Sequence, residues 1–217
     1  MNQKTKRILM SLIGTIILAF SIGIFKFAAL GVDPFQALMG GLDLLIPISF
    51  GTLYVIVNGI LLIFSLVFDR SKIGIATFIN LFLLGYIADF TLGSLGRVLP
   101  APSLLLRLLL MALAILIICF AISLYMTADL GVSTYDAIAI ILAEKWKLTK
   151  FQYCRIITDI GCVILGVLVF FLAGGTLATI STIVGIGTII TAFFMGPLIN
   201  FFNKKISVPL LEKERKS

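Results

Sequence analysis

An ionisable side chain in lipid costs at least a few kcal/mol, so inside a long apolar run it marks either a site or a paired contact. Eight such residues interrupt the apolar runs of this chain: Lys26, Asp33, Asp43, Asp89, Asp129, Asp136, Arg155 and Asp159. Arg155 and Asp159 are four apart, which puts them on one face of a helix where they can neutralise each other. They read either as a structural pair snorkelling to an interface or as contacts for a substrate. Asp136 has no partner at local spacing. In a cavity its carboxylate would hold a cationic group, a sodium ion or a proton; otherwise it complements the positive end of the helix it opens. Asp33 and Ser133 each stand just before a short apolar segment, where a side-chain oxygen accepts an orphan backbone N–H. A helix starting inside the protein also suits an anion; Asp33 weakens that use of the first start, and Ser133 leaves the second neutral.

The residue inventory removes several chemistries. There is no His, hence no His-ligated metal, no Ser-His or Cys-His nucleophile and no imidazole switch. Cys119, Cys154 and Cys162 form no C-x-x-C pair and read as buried apolar thiols. No P-loop or GxGxxG occurs, so the chain does not hydrolyse ATP alone, and neither metal nor cofactor is expected. With no nucleophile and base to assemble, an enzyme is not expected.

These residues sit in 217 positions that are 60% hydrophobic and 12% charged, with mean hydropathy +1.19. A soluble core of this size cannot hide so much apolar surface, because a domain of about 200 residues still exposes roughly a third of its chain surface. The solvent is lipid. The net charge of +7 does not form a basic face with interleaved aromatics, so no nucleic-acid partner is expected. Basic residues instead cluster at the ends of apolar runs: Lys4, Lys6 and Arg7, then Arg70 and Lys72, then Lys145, Lys147 and Lys150, then Lys204 and Lys205. The positive-inside rule then places both termini in the cytoplasm.

Windows of about 20 apolar residues, enough to cross a ~30 Å hydrocarbon core, predict six transmembrane helices in an all-α, polytopic membrane protein. They are Ile8–Ala29, Gly51–Phe68, Ile73–Leu95, Leu104–Thr127, Tyr153–Leu172 and Leu177–Phe202. Two shorter segments, Pro34–Ile46 and Thr134–Ala143, are expected as broken, re-entrant helices. A single membrane domain covers 1–217, with 204–217 expected as a charged cytoplasmic tail. The glycine clusters Gly40–Gly41, Gly174–Gly175 and Gly185/Gly187 are expected to allow close helix packing.

An internal repeat organises the chain. LGVDPFQAL from Leu30 returns as LGVSTYDAI from Leu130, and Ile17, Phe20, Ile22 and Ala28 meet Ile117, Phe120, Ile122 and Ala128 at the same spacing. Near each end, Gly74, Thr77, Phe82, Gly85 and Phe90 meet Gly185, Thr188, Phe193, Gly196 and Phe201. The repeats span about 8–96 and 104–203. Polar positions stay polar across them: Gln36 matches Asp136, Tyr54 matches Arg155, Asn58 matches Asp159, and Asn80 matches Thr191. Three crossings per half invert the second half relative to the first, as in many secondary transporters. If the short segments also cross, eight spans and a parallel repeat result. A helix of 10–13 residues rises only about 15–20 Å, which favours six.

The twin motifs from Leu30 and Leu130, with GIGTIITAFFMGPLINFF from Gly185, resemble the bacterial YczE/YyaS/YitT membrane-protein family over nearly the whole chain. The likeness is to its short, YczE-like branch, which lacks the soluble C-terminal domain of YitT-type members. It implies a multi-pass protein of the bacterial plasma membrane and brings no catalytic residues with it. The residues themselves favour a secondary transporter or permease for a small polar solute. Its expected contacts are Asp33, Gln36, Tyr54, Asn58, Ser133, Asp136, Arg155 and Asp159, and its expected partners are the lipid bilayer, a small-molecule solute and a second copy of the chain. The alternatives are a substrate-capture subunit that relies on a separate ATPase, or a membrane scaffold acting on a partner enzyme.

Overall fold

The computed structural model describes residues 3–212, apart from the side chains of positions 151 and 152. The chain folds entirely as helices: α1 Gln3–Ala28, α2 Pro34–Leu45, α3 Phe50–Phe68, α4 Ile75–Val98, α5 Leu104–Ala128, α6 Thr134–Ile140, α7 Phe151–Leu172, α8 Ile186–Phe202 and α9 Val208–Glu212. A π-helical turn, Ile141–Lys145, extends α6, and another, Asn203–Ser207, joins α8 to α9. Among the described residues six helices are long and apolar enough to cross a membrane: α1, α3, α4, α5, α7 and α8 with its extension.

The burial pattern is that of a protein dissolved in lipid. Large apolar side chains such as Ile63, Val67, Leu109, Ile157 and Phe193 are exposed, while Ser11, Thr15, Ser21, Asn58, Thr77, Asn80, Ser123 and Thr191 are buried. Lipid tails are as apolar as leucine, so helices gain by packing small residues closely and pairing polar groups between them. Gly41 of α2 lies so near Gly166 of α7 that a Cβ would sit 2.4 Å from the Gly166 carbonyl oxygen.

Helices α1 and α5 pack side by side and run antiparallel. Arg7, near the start of α1, reaches the Ala128 carbonyl and Asp129 at the end of α5, each at 3.5 Å. Arg107, near the start of α5, donates to the Ala28 carbonyl at 2.7 Å and to the Ala29 carbonyl at the end of α1. Each arginine satisfies carbonyls that a helix end leaves unpaired and places positive charge at the negative end of a dipole.

The segments after α1 and α5 make a second matched set of contacts. Leu30 accepts from Gly187 N–H at 2.8 Å and Val32 N–H donates to Ile183 at 3.3 Å, so 30–32 docks on the start of α8. Leu130 accepts from Ala76 N–H at 3.0 Å and Val132 N–H donates to Lys72 at 3.0 Å, so 130–132 docks on the start of α4. Gly31 and Gly131 take φ of +91° and +107° there, a left-handed turn that other residues adopt only with strain. Thr77 and Thr188 cap α4 and α8 alike, each accepting from the N–H of its preceding glycine at 3.2 and 3.1 Å.

The two short helices are likewise exchanged, α2 packing on α7 and α6 on α3. They start close together, with the rings of Phe35 and Tyr135 stacked at 4.7 Å. α6 leaves from beside Asn58 and ends where Lys145 donates to the Phe68 carbonyl and Glu144 pairs with Lys72 at 2.8 Å. That end holds the α3–α4 turn, where the hydroxyl and backbone N–H of Ser71 hold the Asp69 carboxyl below the usual range.

Two expectations from sequence change, and a third gains detail. The last long helix starts at Ile186 rather than Leu177, because the glycines and the Thr176–Thr179 hydrogen bonds fold 173–185 into turns. The chain stays helical through 204–212, where Ser207 is buried against Ser123 at 2.5 Å, so helix runs into the first part of the expected charged tail; 213–217 lie outside the described residues. Asp129 is not enclosed in an apolar run: its side chain is 85% exposed at the end of α5, beside Arg7.

Candidate functional site

Between the starts of α2 and α6 lies a cavity of about 430 Å³. Its wall is built in pairs spaced as the sequence motifs are. Leu18 and Ile118, Ile22 and Ile122, Asp33 and Ser133, Phe35 and Tyr135, and Gln36 and Asp136 are each one hundred positions apart and all line it. Tyr54 of α3 faces it with Arg155 of α7, and Asn80 of α4 with Thr191 of α8.

The α6–α7 wall carries a charged network. Arg155 pairs with Asp136 through Nη1 and with Asp159 through Nε, the latter at 3.2 Å. Tyr125 donates to Asp136 at 2.8 Å, Ser133 donates to it at 2.7 Å, and Tyr135 donates to Asp159 at 2.5 Å. The Arg155 guanidinium also lies over the Tyr135 ring, 4.5 Å from its centroid. Arg155, Asp136, Asp159 and Tyr135 are each held by at least two others, which fixes rotamers and spreads the charge. The α2–α3 wall carries one charged group, Asp33. Asp33 caps α2 by accepting from Gln36 N–H at 3.2 Å, and Tyr54 donates to Asn80 at 3.1 Å. Gln36 is 3% exposed, and its side-chain carbonyl oxygen has no hydrogen-bond partner among the described residues.

Of the residues singled out from sequence, Asp33, Gln36, Tyr54, Ser133, Asp136, Arg155 and Asp159 all line this cavity. Asn58 does not. It ties α3 to α6, accepting from Thr134 at 2.5 Å and donating to the Tyr54 carbonyl at 2.9 Å. Asp136, without a cation at local spacing, meets Arg155 where α7 packs across the fold. The Ser133 hydroxyl is not free to receive a ligand, since it accepts from Asp136 N–H at 3.1 Å and donates to that residue's carboxylate.

Sequence reasoning missed Tyr125 and Tyr135. A signal existed: they stand one hundred positions after Phe25 and Phe35. Each carries a hydroxyl that the phenylalanine one hundred positions earlier lacks, and the two hydroxyls serve the carboxylates of Asp136 and Asp159. Lys26, also enclosed, lies outside the cavity with Nζ 3.2 Å from the Phe50 ring centroid. Among the described residues no group of three His, Cys, Asp or Glu is placed to hold a metal ion.

Comparison with known proteins places this architecture among membrane proteins without an assigned activity. The uncharacterized membrane protein YczE of Bacillus subtilis strain 168 is 26% identical over 192 residues, covering 87% of this chain and 81% of that protein. The uncharacterized protein YyaS of the same strain is 26% identical over 204 residues, covering 94% and 96%. An uncharacterized protein of Haemophilus influenzae is 25% identical over 187 residues, covering 86% and 78%. No solved structure matches. The model of the family of unknown function DUF6198 matches residues 5–204, and the chain belongs to that family.

Proposed function

We propose that the chain is a secondary transporter or permease of the plasma membrane for a small polar solute, built as an inverted duplication with its site on the axis between the halves. The observation that carries this reading is the cavity wall itself, formed by matched positions of the two halves around a charged network. Helices α1 and α5 occupy matched positions and run antiparallel, which is the relation an in-plane two-fold axis produces. The exchanged docking of 30–32 on α8 and 130–132 on α4 repeats across the same axis.

The short helices turn back rather than cross: a dozen residues rise only about 18 Å, and α6 returns to the end at which α5 leaves. Six crossings then put Arg7, Arg70, Lys72, Lys145, Lys147 and Lys150 on one side, which the positive-inside rule makes cytoplasmic along with both termini. Broken helices whose starts meet at mid-depth, with a polar cavity there, are how secondary transporters place their solute site.

The test is a thermal-stability screen of the detergent-purified protein against amines, amino acids, organic acids, vitamins and Na⁺, followed by uptake of each hit into liposomes. A binding solute stabilises by mass action, about 2.7 kcal/mol at a hundredfold excess over Kd. A hit that is taken up by protein-containing liposomes supports the reading. Hits without uptake contradict transport, and the absence of hits together with stoichiometric co-purification of an ATPase would support a substrate-capture subunit instead.

A further inference from the structure

Four charged groups line the cavity, three carboxylates (Asp33, Asp136, Asp159) against one guanidinium (Arg155). The guanidinium is outnumbered. Its Nε and Nη1 are held by Asp159 and Asp136, and its face lies on Tyr135. An anionic solute would meet a wall with a net negative charge. Asp33 has a different situation. Its carboxylate accepts one backbone N–H, and no Lys or Arg among the described residues forms an ion pair with it.

One turn away, the Gln36 side-chain oxygen is an acceptor buried without a donor. A buried acceptor left unmade costs about 1–3 kcal/mol; this oxygen is turned away from the cavity, and rotating the amide about its last torsion would present it to a ligand N–H. Asp33 then offers a carboxylate with no cation and the turned Gln36 a second acceptor, and what answers both is a group with several N–H donors and a positive charge. The rest of the wall is mostly carbon, with Phe35 and Tyr54 in edge-on contact at 6.1 Å and the aliphatic side chains of Ile22 and Leu84 beside them. Aromatic faces favour a neighbouring cation, and aliphatic walls favour an apolar body.

We infer that the cavity takes an organic cation: a primary ammonium group bound between Asp33 and the Gln36 side-chain oxygen, on a short apolar body resting against Phe35, Tyr54, Ile22 and Leu84. This rests on the transporter reading above and names its substrate class. The Arg155 network is then the rigid opposite wall, and the specificity lies on the wall that carries Asp33.

The experiment uses the full chain in detergent and three matched probe series: butyl and phenethyl frames ending in ammonium, hydroxyl or carboxylate. Binding is read as concentration-dependent thermal stabilisation of the wild type, Asp33→Asn and Gln36→Leu. Asparagine caps a helix as well as aspartate, so Asp33→Asn keeps the start of α2 intact. The expected result is stabilisation by the ammonium members alone, with the apparent Kd at least tenfold weaker in Asp33→Asn and several-fold weaker in Gln36→Leu. Ammonium binding that is unchanged in Asp33→Asn overturns the inference. So does stabilisation by the carboxylate series, although that result leaves a transporter standing. No stabilisation by any series overturns it as well, and if labelled solutes also fail to enter liposomes the transporter reading fails with it.

Discussion

Gly131 lies against the backbone of Gly74 so closely that a Cβ on Gly131 would sit 2.5 Å from the Gly74 nitrogen, and Gly31 meets Gly185 in the same way at 2.3 Å. These two junctions lock 130–132 onto the start of α4 and 30–32 onto the start of α8. Because their φ values are positive as well, neither glycine tolerates a side chain. Gly31→Ala and Gly131→Ala are each expected to cost more than about 2 kcal/mol, from left-handed strain together with the clash. Gly59→Ala, in an open stretch of α3 with nothing within 4 Å, should be neutral or stabilising by up to about 1 kcal/mol. Thermal unfolding in detergent checks all three; equal effects at Gly59 and Gly131 would mean that the junctions do not hold the halves together.

Arg155 balances two carboxylates, so its loss leaves both without their cation. Arg155→Gln is expected to destabilise by about 3–5 kcal/mol, the range for removing one partner from an enclosed ion pair. Combining it with Asp136→Asn should cost clearly less than the sum of the single changes, because the second change removes a charge the first left unpaired. A double-mutant cycle by thermal unfolding measures this coupling, and strict additivity would place the two side chains out of contact.

Asn58 and Tyr135 separate scaffold from site. Asn58→Ala removes the tie to Thr134 and should cost about 1–3 kcal/mol while leaving solute affinity within a few-fold. Tyr135→Phe removes a single hydroxyl and should cost only about 1 kcal/mol, yet weaken solute binding or uptake through the loosened Asp159 and Arg155. Unfolding and binding measured on the same preparations give the two orderings, which should be opposite.

The inverted arrangement predicts which loops share a side. Single cysteines at Ser71 and Leu148 should react with a membrane-impermeant maleimide from one face of oriented vesicles, and those at Ala101 and Thr176 from the other. An eight-span chain would instead put the 69–74 turn and the 146–150 loop on opposite faces. Labelling of Ser71→Cys and Leu148→Cys from different faces would therefore remove the inverted topology.

Much of this was legible in the sequence because it depends on local pattern. Apolar length located the six long helices to within a few residues at most ends, and Asp33, Pro34 and Ser133 marked the starts of the two short ones. The spacing of matched polar residues picked out Asp33, Gln36, Tyr54, Asn80, Ser133, Asp136, Arg155, Asp159 and Thr191, most of the polar groups on the cavity wall, but not its apolar lining. What escaped depends on contacts across the fold. The pairing of Asp136 with Arg155 spans 19 positions and two helices, and no periodicity announces it. Asn58 stands off the cavity, and nothing in the sequence separates it from the wall residues, because a polar residue buried for a helix–helix bond looks like one buried for a ligand. The extension of α8 through Lys204 and Lys205 was hidden by their charge, which marks a membrane boundary and not a helix end.

The central claim is that a cavity on the axis between two exchanged halves carries solute across the bilayer, and its most direct test needs no knowledge of the solute. Ile122, on the cavity wall, is replaced by cysteine in a chain whose Cys119, Cys154 and Cys162 are alanine. A membrane-impermeant maleimide is then applied to right-side-out and to inside-out vesicles. The account predicts labelling of Ile122→Cys from both faces, as the halves rock about the axis and open the cavity to each side in turn. Labelling from neither face, or from one face under every condition, would contradict it and leave a static membrane scaffold or a one-sided binding subunit.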